Sequence, residues 1–322
     1  MDKRIRNALV ACAATAVTAV AATYAVARFF GSVAIDRDII EMPKVMQDKL
    51  TGGIEPDTPG LSEAIKKIES AQQLETETVT IKSSDGLTLT GHFYPAKDTK
   101  RIIIAMHGWR SNWSTDYGAS YEFYHNCGSA VLYPDQRGTG ESDGEYIGFG
   151  VLERHDCLDW INYCVSRFGS DIPIYLSGVS MGATTVLMTL GFSLPDCIKG
   201  VIADCGFTSP HAIWSHVSRS NLKISDKLTY PIVNRICNKK AQFDGDEYST
   251  VEALKDNKIP VLFIHGGADK FVPIEMTFQN YEACTAEKDL LVVPSAGHGL
   301  SCITDKDSYE RAVKDFFKKH DI

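Results

Sequence analysis

No two of the nine cysteines are spaced as C-x-x-C, and the nine follow no regular interval. That removes the sequence signatures of a zinc site and of a disulfide framework. Most of them fall inside apolar segments, where a free thiol behaves as a small hydrophobe. Basic charge is also scarce. Lys and Arg total 33 against 41 Asp and Glu, a net charge of −8, and no run of the chain concentrates the positive residues. A nucleic-acid partner is excluded on that ground. No G-x-G-x-x-G follows an apolar run and no G-x-x-x-x-G-K occurs, so no nucleotide cofactor is expected. Gly and Pro are not in excess, which rules out fibrous and low-complexity classes.

What is present begins with a long apolar run. Residues 8–30 carry no charge until Arg28. As a helix at about 1.5 Å per residue the run covers roughly 30 Å, the hydrocarbon thickness of a bilayer. Lys3, Arg4 and Arg6 precede it, as on a cytoplasmic flank. A cleaved signal peptide is one reading, because Ala25-Val26-Ala27 has the small-x-small form of a cleavage site. A lipoprotein signal is another, but the apolar run follows Cys12 rather than preceding it. A buried Ala-rich helix is the plain alternative. The expectation is a retained single-pass N-terminal transmembrane helix, residues 1–30, with the main domain outside the cytoplasm. Many unpaired thiols sit more easily in a reducing compartment, which pulls against that orientation.

Residues 31–75 read as a juxtamembrane linker broken by Pro and Gly, ending in an amphipathic helix from Leu61 to Leu74. From residue 76 to 322 the pattern is that of one domain. Glu77–Lys82 and Leu87–Tyr94 alternate about a Ser84-Asp85-Gly86 turn, a hairpin signature. Unbroken apolar runs then alternate with helical segments, at Arg101–Met106, Ala130–Tyr133, Ile174–Ser177, Gly200–Ala203, Pro260–Ile264 and Asp289–Val293. That alternation predicts an α/β fold with a mostly parallel central sheet and helices on both faces. Ligands bind beyond the carboxyl ends of such strands, so the residues after each run matter most.

Those residues are rich in chemistry. His107-Gly108-Trp109, Asp135-Gln136-Arg137-Gly138, Gly178-Val179-Ser180-Met181-Gly182, Asp204, His265-Gly266-Gly267-Ala268-Asp269 and Gly297-His298-Gly299 follow successive runs. A serine hydroxyl needs a base within hydrogen-bond reach, imidazole titrates in the right range, and a carboxylate fixes its tautomer. Ser180 between two glycines at a strand-to-helix junction suits a strained nucleophile turn, with the Met181 N–H available to an oxyanion. Asp204 and Asp269 both compete to hold His298; the G-x-x-D-x-x-V-P context favours Asp269. Asp135 and Arg137 read as a loop-bracing pair, and His107 as a residue that orients its own turn. His211, His216 and His265 are scattered, and no metal site is expected.

In these motifs residues 77–320 resemble the α/β-hydrolase family, and within it membrane-anchored bacterial serine hydrolases whose substrates are mostly unassigned. The resemblance implies Ser180 as nucleophile, His298 as base, Asp269 as acid, and the backbone N–H groups of Trp109 and Met181 as an oxyanion hole. It brings no particular substrate. The insertion at 205–258 lies where a helical cap would sit, or is a helical excursion packed on the sheet. Trp113, Phe207 and Trp214 are expected to line a substrate pocket. The function expected is hydrolysis of a carboxylic ester or thioester, small or lipid-like, through an acyl-enzyme and without a cofactor. The alternatives are a non-catalytic scaffold at the membrane, and an acyltransferase or peptidase using the same residues.

Overall fold

The structure, a computed structural model, describes residues 21–38, 44–45, 48 and 53–321. Eight strands form one sheet in the order β1-β2-β4-β3-β5-β6-β7-β8. They are β1 (Glu77–Lys82), β2 (Thr88–Tyr94), β3 (Arg101–Met106), β4 (Ser129–Pro134), β5 (Ile174–Val179), β6 (Ile198–Asp204), β7 (Val261–Gly266) and β8 (Lys288–Val293). β1 pairs antiparallel with β2, and β2 antiparallel with β4; every later pairing is parallel.

The apolar runs become strands because both their faces are covered. Along β3, Ile102, Ile104 and Met106 enter one core cluster, while Ile103 and Ala105 enter the other. Alternate side chains of a strand leave opposite faces, so a strand between two helical layers must be apolar throughout. The first layer packs Trp160 and Ile161 of the helix Glu153–Phe168 with Val186 and Leu187 of the helix Met181–Thr189. The second packs Tyr117, Tyr124, Phe316 and Phe317 from helices on the other face. β1 alternates instead and is largely exposed, as an edge strand is.

Between β6 and β7 the chain leaves the sheet for the helices Pro210–His216, Asp226–Lys240 and Thr250–Leu254. A π turn, Val217–Asn221, continues the first of these; such turns recur at functional sites. Phe207, Ile213, Trp214 and Val233 form a third cluster with Phe149 and Met181, beyond the carboxyl ends of the strands.

The N-terminal segment differs from its expected boundary. Residues 21–35 are helical, and the helix runs past residue 30 into what reads as linker. Ala27, Gly31, Val33 and Ile35 are buried, and Ile35 belongs to the third cluster. The last turns of this helix are therefore packed into the domain. Most of the expected anchor, residues 1–20, lies outside the described residues. Among the described residues no helix is long and apolar enough to cross a membrane.

The loop after β4 corrects one expectation. Asp135 and Arg137 do not pair with each other. Asp135 accepts the Glu141 N–H at 2.9 Å and faces His92 at 3.4 Å. Arg137 forks onto the buried Asp156, two contacts of 2.6 Å, and reaches Asp85 at 2.9 Å. Burial pushes the Asp156 carboxyl up to about 6 even against that guanidinium. Breaking one side of a buried ion pair strands the other charge. Arg137→Gln is therefore expected to lower stability by roughly 3–5 kcal/mol in urea unfolding. A loss under about 1 kcal/mol, the range of an exposed pair, contradicts this account.

Candidate active site

Ser180 stands between β5 and the helix Met181–Thr189 at φ 56° and ψ −117°. A side chain at positive φ is strained and persists only where its surroundings fix it. Here the two flanking glycines do so. A Cβ on Gly178 would collide with the Gly182 carbonyl, and a Cβ on Gly182 with the Met106 carbonyl of β3. Both glycines are demanded by close backbone approach, and together they thrust Ser180 out of the sheet.

Two later strands deliver its partners. The Ser180 hydroxyl lies 2.8 Å from His298 Nε2, and His298 Nδ1 lies 2.7 Å from Asp269 Oδ2. Nδ1–H donates to the carboxylate, which leaves Nε2 to accept from Ser180. The other Asp269 oxygen accepts the N–H groups of Phe271 and Val272 at 2.8 and 2.9 Å. His265, which reads as merely structural in the sequence, stands with Nε2 3.0 Å from the Val272 carbonyl and 3.2 Å from Asp269 Oδ2, while its Nδ1 meets Thr277 at 2.7 Å. The four-residue spacing from His265 to Asp269 was the available signal. Burial raises the Asp269 carboxyl, but the charge and hydrogen bonds of His298 and His265 outweigh it and hold the group well below the ordinary range. Burial lowers His298, yet Asp269 first, then Asp204 and Asp116, bring it above its ordinary value. Asp204, the competing carboxylate, is buried against Ser301 at 3.3 Å, and burial pushes it up to about 6.

The His107-Gly108-Trp109 turn passes close to Ser180: a Cβ on Gly108 would sit 3.4 Å from Ser180 Cβ. His107 Nε2 accepts the Gln136 N–H at 3.2 Å, so Nδ1 carries the proton and donates to the Gly108 carbonyl at 2.8 Å. Asp116 holds the same turn from the other side. Its carboxylate accepts the Gly108 N–H at 2.5 Å and the Ser111 hydroxyl at 2.6 Å. Nothing in the sequence singles out Asp116, because its partner is a backbone amide. Met181 opens its helix, and the first N–H groups of a helix have no partner within it.

A pocket bounded by Ser180 is otherwise walled almost wholly by apolar side chains, among them Trp109, Phe149, Phe207, Trp214 and Phe271. Phe207 and Trp214 thus line the same pocket as Ser180. Trp113 does not: it is buried beneath the loop, stacked on Tyr133 with ring centroids 4.7 Å apart. Its apolar bulk serves the core under the His107-Gly108-Trp109 turn. Cys205, Asp269 and His298 lie close enough to share an ion. However, both His298 nitrogens are engaged by Asp269 and Ser180, and burial pushes the Cys205 thiol well up, away from a thiolate ligand.

A mostly parallel sheet with one antiparallel flank, bearing a serine turn after β5, is the α/β-hydrolase arrangement, and the class is a serine hydrolase on that fold. The chain belongs to the prolyl oligopeptidase family (Peptidase_S9), whose sequence pattern matches residues 113–321. The uncharacterized protein YqkD of Bacillus subtilis is 26% identical over 248 residues, covering 77% of this chain and 81% of that protein. The bifunctional esterase/perhydrolase DCH of Acinetobacter calcoaceticus is 26% identical over 259 residues, 68% of this chain and 92% of that one. Among solved structures, the Pyrococcus furiosus esterase PF2001 superposes with a TM-score of 0.65 at 22% identity, covering 78% of this chain and 93% of its own.

The charge arrangement makes a prediction. In an NMR titration the His298 ring changes state above about pH 6.5, and the midpoint moves down in Asp269→Asn. A raised histidine contributes stability that is complete below about pH 6.5 and lost as pH rises through the folded value. The depressed Asp269 contributes stability present above about pH 3.9 and lost as pH falls through its folded value. The stability gap between wild type and Asp269→Asn therefore closes toward acid. A His298 midpoint indifferent to the substitution contradicts the pairing.

Proposed function

We propose that the protein cleaves carboxylic esters with apolar acyl groups through a serine-bound acyl intermediate. The observation that carries this reading is the 2.8 Å contact between His298 Nε2 and Ser180 at the floor of an apolar pocket. Nε2 takes the hydroxyl proton as Ser180 Oγ bonds the ester carbon. The carbonyl electrons move onto oxygen, facing the Met181 and Trp109 N–H groups. As the carbonyl re-forms, the C–O bond to the alcohol breaks and the alcohol takes the proton from His298. Water then repeats the sequence: His298 accepts its proton, the new hydroxyl bonds the acyl carbon, and Ser180 leaves with the proton returned. Asp269 holds the ring in the tautomer that exposes Nε2 and balances the imidazolium.

The buried, water-poor floor strengthens each of these charge interactions. An apolar pocket selects by area, at about 25 cal/mol for each Å² buried, so it favours an acyl chain over a charged or small polar group. The esterase named among the relatives supports the same class of substrate. The family match supports a second reading, cleavage of an amide by the same residues. Thioester cleavage and transfer of the acyl group to an acceptor other than water use the same first half-reaction. Membrane attachment through residues 8–26 belongs to the proposal too: that run remains apolar ahead of the packed turns and spans roughly 28 Å as a helix. Extraction of the full chain from membranes by alkaline carbonate contradicts it.

A fluorophosphonate probe is expected to label wild type and not Ser180→Ala. Against p-nitrophenyl esters of graded length, a thioester and an amide, esters turn over fastest, and Asp269→Asn lowers kcat by about 10⁴-fold. Failure of folded wild type to label makes the protein a non-catalytic scaffold, and faster turnover of the amide makes it a peptidase.

A further inference from the structure

The helix of residues 21–35 ends at the active site. Phe30, Val33 and Ala34 lie at i, i+3 and i+4, so they share one face, and all three border the pocket that Ser180 floors. The adjoining face is built for packing. A Cβ on Gly31 would meet Ile236 at 2.8 Å and Val233 at about 3.6 Å, so glycine lets this helix approach the cap helix Asp226–Lys240 closely.

The carbonyl end of the same helix holds the turn that crosses the nucleophile. Trp109 Nε1–H donates to the Ala34 carbonyl at 2.8 Å. Arg110, at φ 52°, sends Nε–H to the Val33 carbonyl at 2.9 Å, and its terminal nitrogens donate to the Val33, Asp36 and Arg37 carbonyls. A guanidinium there satisfies carbonyls that the helix leaves unpaired and faces the negative end of its dipole. The segment is fixed from other sides as well. Ile147 N–H donates to the Ile35 carbonyl at 2.7 Å, and Lys240 meets Asp36 at 2.7 Å. Arg37 donates to the Ser142 and Gly140 carbonyls at 2.6 and 2.8 Å.

We infer that residues 30–37 are a working part of the site: Phe30, Val33 and Ala34 set the acyl-chain length the pocket accepts, and the helix end positions the oxyanion turn through Trp109 and Arg110. The inference rests on the esterase reading above. None of these residues touches the reacting atoms, so their roles are selection and positioning. The two roles separate in kinetics. A wall residue changes the ranking of substrates, whereas a displaced oxyanion donor lowers kcat for all of them alike.

The experiment measures kcat and KM for p-nitrophenyl acetate, butyrate and octanoate on the full chain, with active sites counted by fluorophosphonate labelling. In Ala34→Trp the octanoate-to-acetate ratio of kcat/KM falls at least ten-fold. In Phe30→Ala it rises, which keeps the test open should the larger substitution fail to fold. In Arg110→Gln, kcat per labelled site falls about ten-fold for acetate and octanoate together, and Arg110→Lys recovers part of it. A merely structural role would instead reduce the number of labelled sites and leave the turnover of each unchanged. Length ratios within two-fold of wild type in both wall variants, or an unchanged kcat per site in Arg110→Gln, overturn the inference while the esterase reading stands. Wild type that neither labels at Ser180 nor hydrolyses any ester overturns both.

Discussion

Everything at this site depends on one backbone conformation, the positive φ of Ser180. It is held by crowding rather than by any bond to the side chain: Gly182 is pressed against the Met106 carbonyl, and Gly178 against Gly182. The Ser180 N–H also donates to the Asp204 carbonyl at 2.8 Å, which anchors the turn to β6. Three neighbouring strands therefore fix a single residue. Strain of this kind costs of order 1–3 kcal/mol and persists only when the surrounding structure over-determines it. A close-packed parallel sheet supplies that rigidity, because its central strands have no solvent-facing side on which to relax.

Given that geometry, electrostatics decides which groups carry charge. Asp269, Asp204 and Asp116 all act on His298, and all three are shielded from water. Only Asp269 is held well below the ordinary carboxylate range, because the charge of His298 and the hydrogen bonds and charge of the two imidazoles outweigh its burial. Asp204 has one hydroxyl at 3.3 Å and is pushed up to about 6. For Asp116, burial outweighs the Gly108 N–H and the Ser111 hydroxyl, and its carboxyl is raised. The neighbouring imidazoles, closest to Asp269, separate it from the other two. The contrast gives a physical reason for preferring Asp269 over Asp204 as the partner of the imidazole.

Much of this was legible in the sequence because it is local. Unbroken apolar runs announced the parallel strands, with ends displaced by one or two residues, since hydrogen bonding rather than hydrophobicity decides where a strand stops. Gly178 and Gly182 marked the turn, and the context of Asp269 distinguished it from Asp204. What stayed hidden is the part made by contacts between distant segments. Asp116 acts on a backbone amide, which leaves no residue pattern. Arg137 chose Asp156 and Asp85 over its neighbour Asp135 because the helix Glu153–Phe168 brings a buried carboxylate to it. Trp113 reads like any pocket aromatic, and only the packing of Tyr133 beneath it shows that it belongs to the core.

The N-terminal helix is the clearest case of one sequence signal carrying two meanings. A continuous apolar run satisfies a bilayer and a protein pocket equally well, because both solvents are hydrocarbon-like. Hydropathy alone therefore cannot tell the two apart, whereas Gly31 carries structural information once its neighbours are known. Gly31 permits close helix contact with Val233, and Arg28, exposed, needs water or headgroups rather than acyl chains. Ala27, buried by protein, sits beside it. From Ala27 on, the helix makes specific contacts with Trp109, Arg110 and the helix Asp226–Lys240. A wall of the pocket and the brace of the His107-Gly108-Trp109 turn are parts of one helix, so a displacement of that helix moves both together.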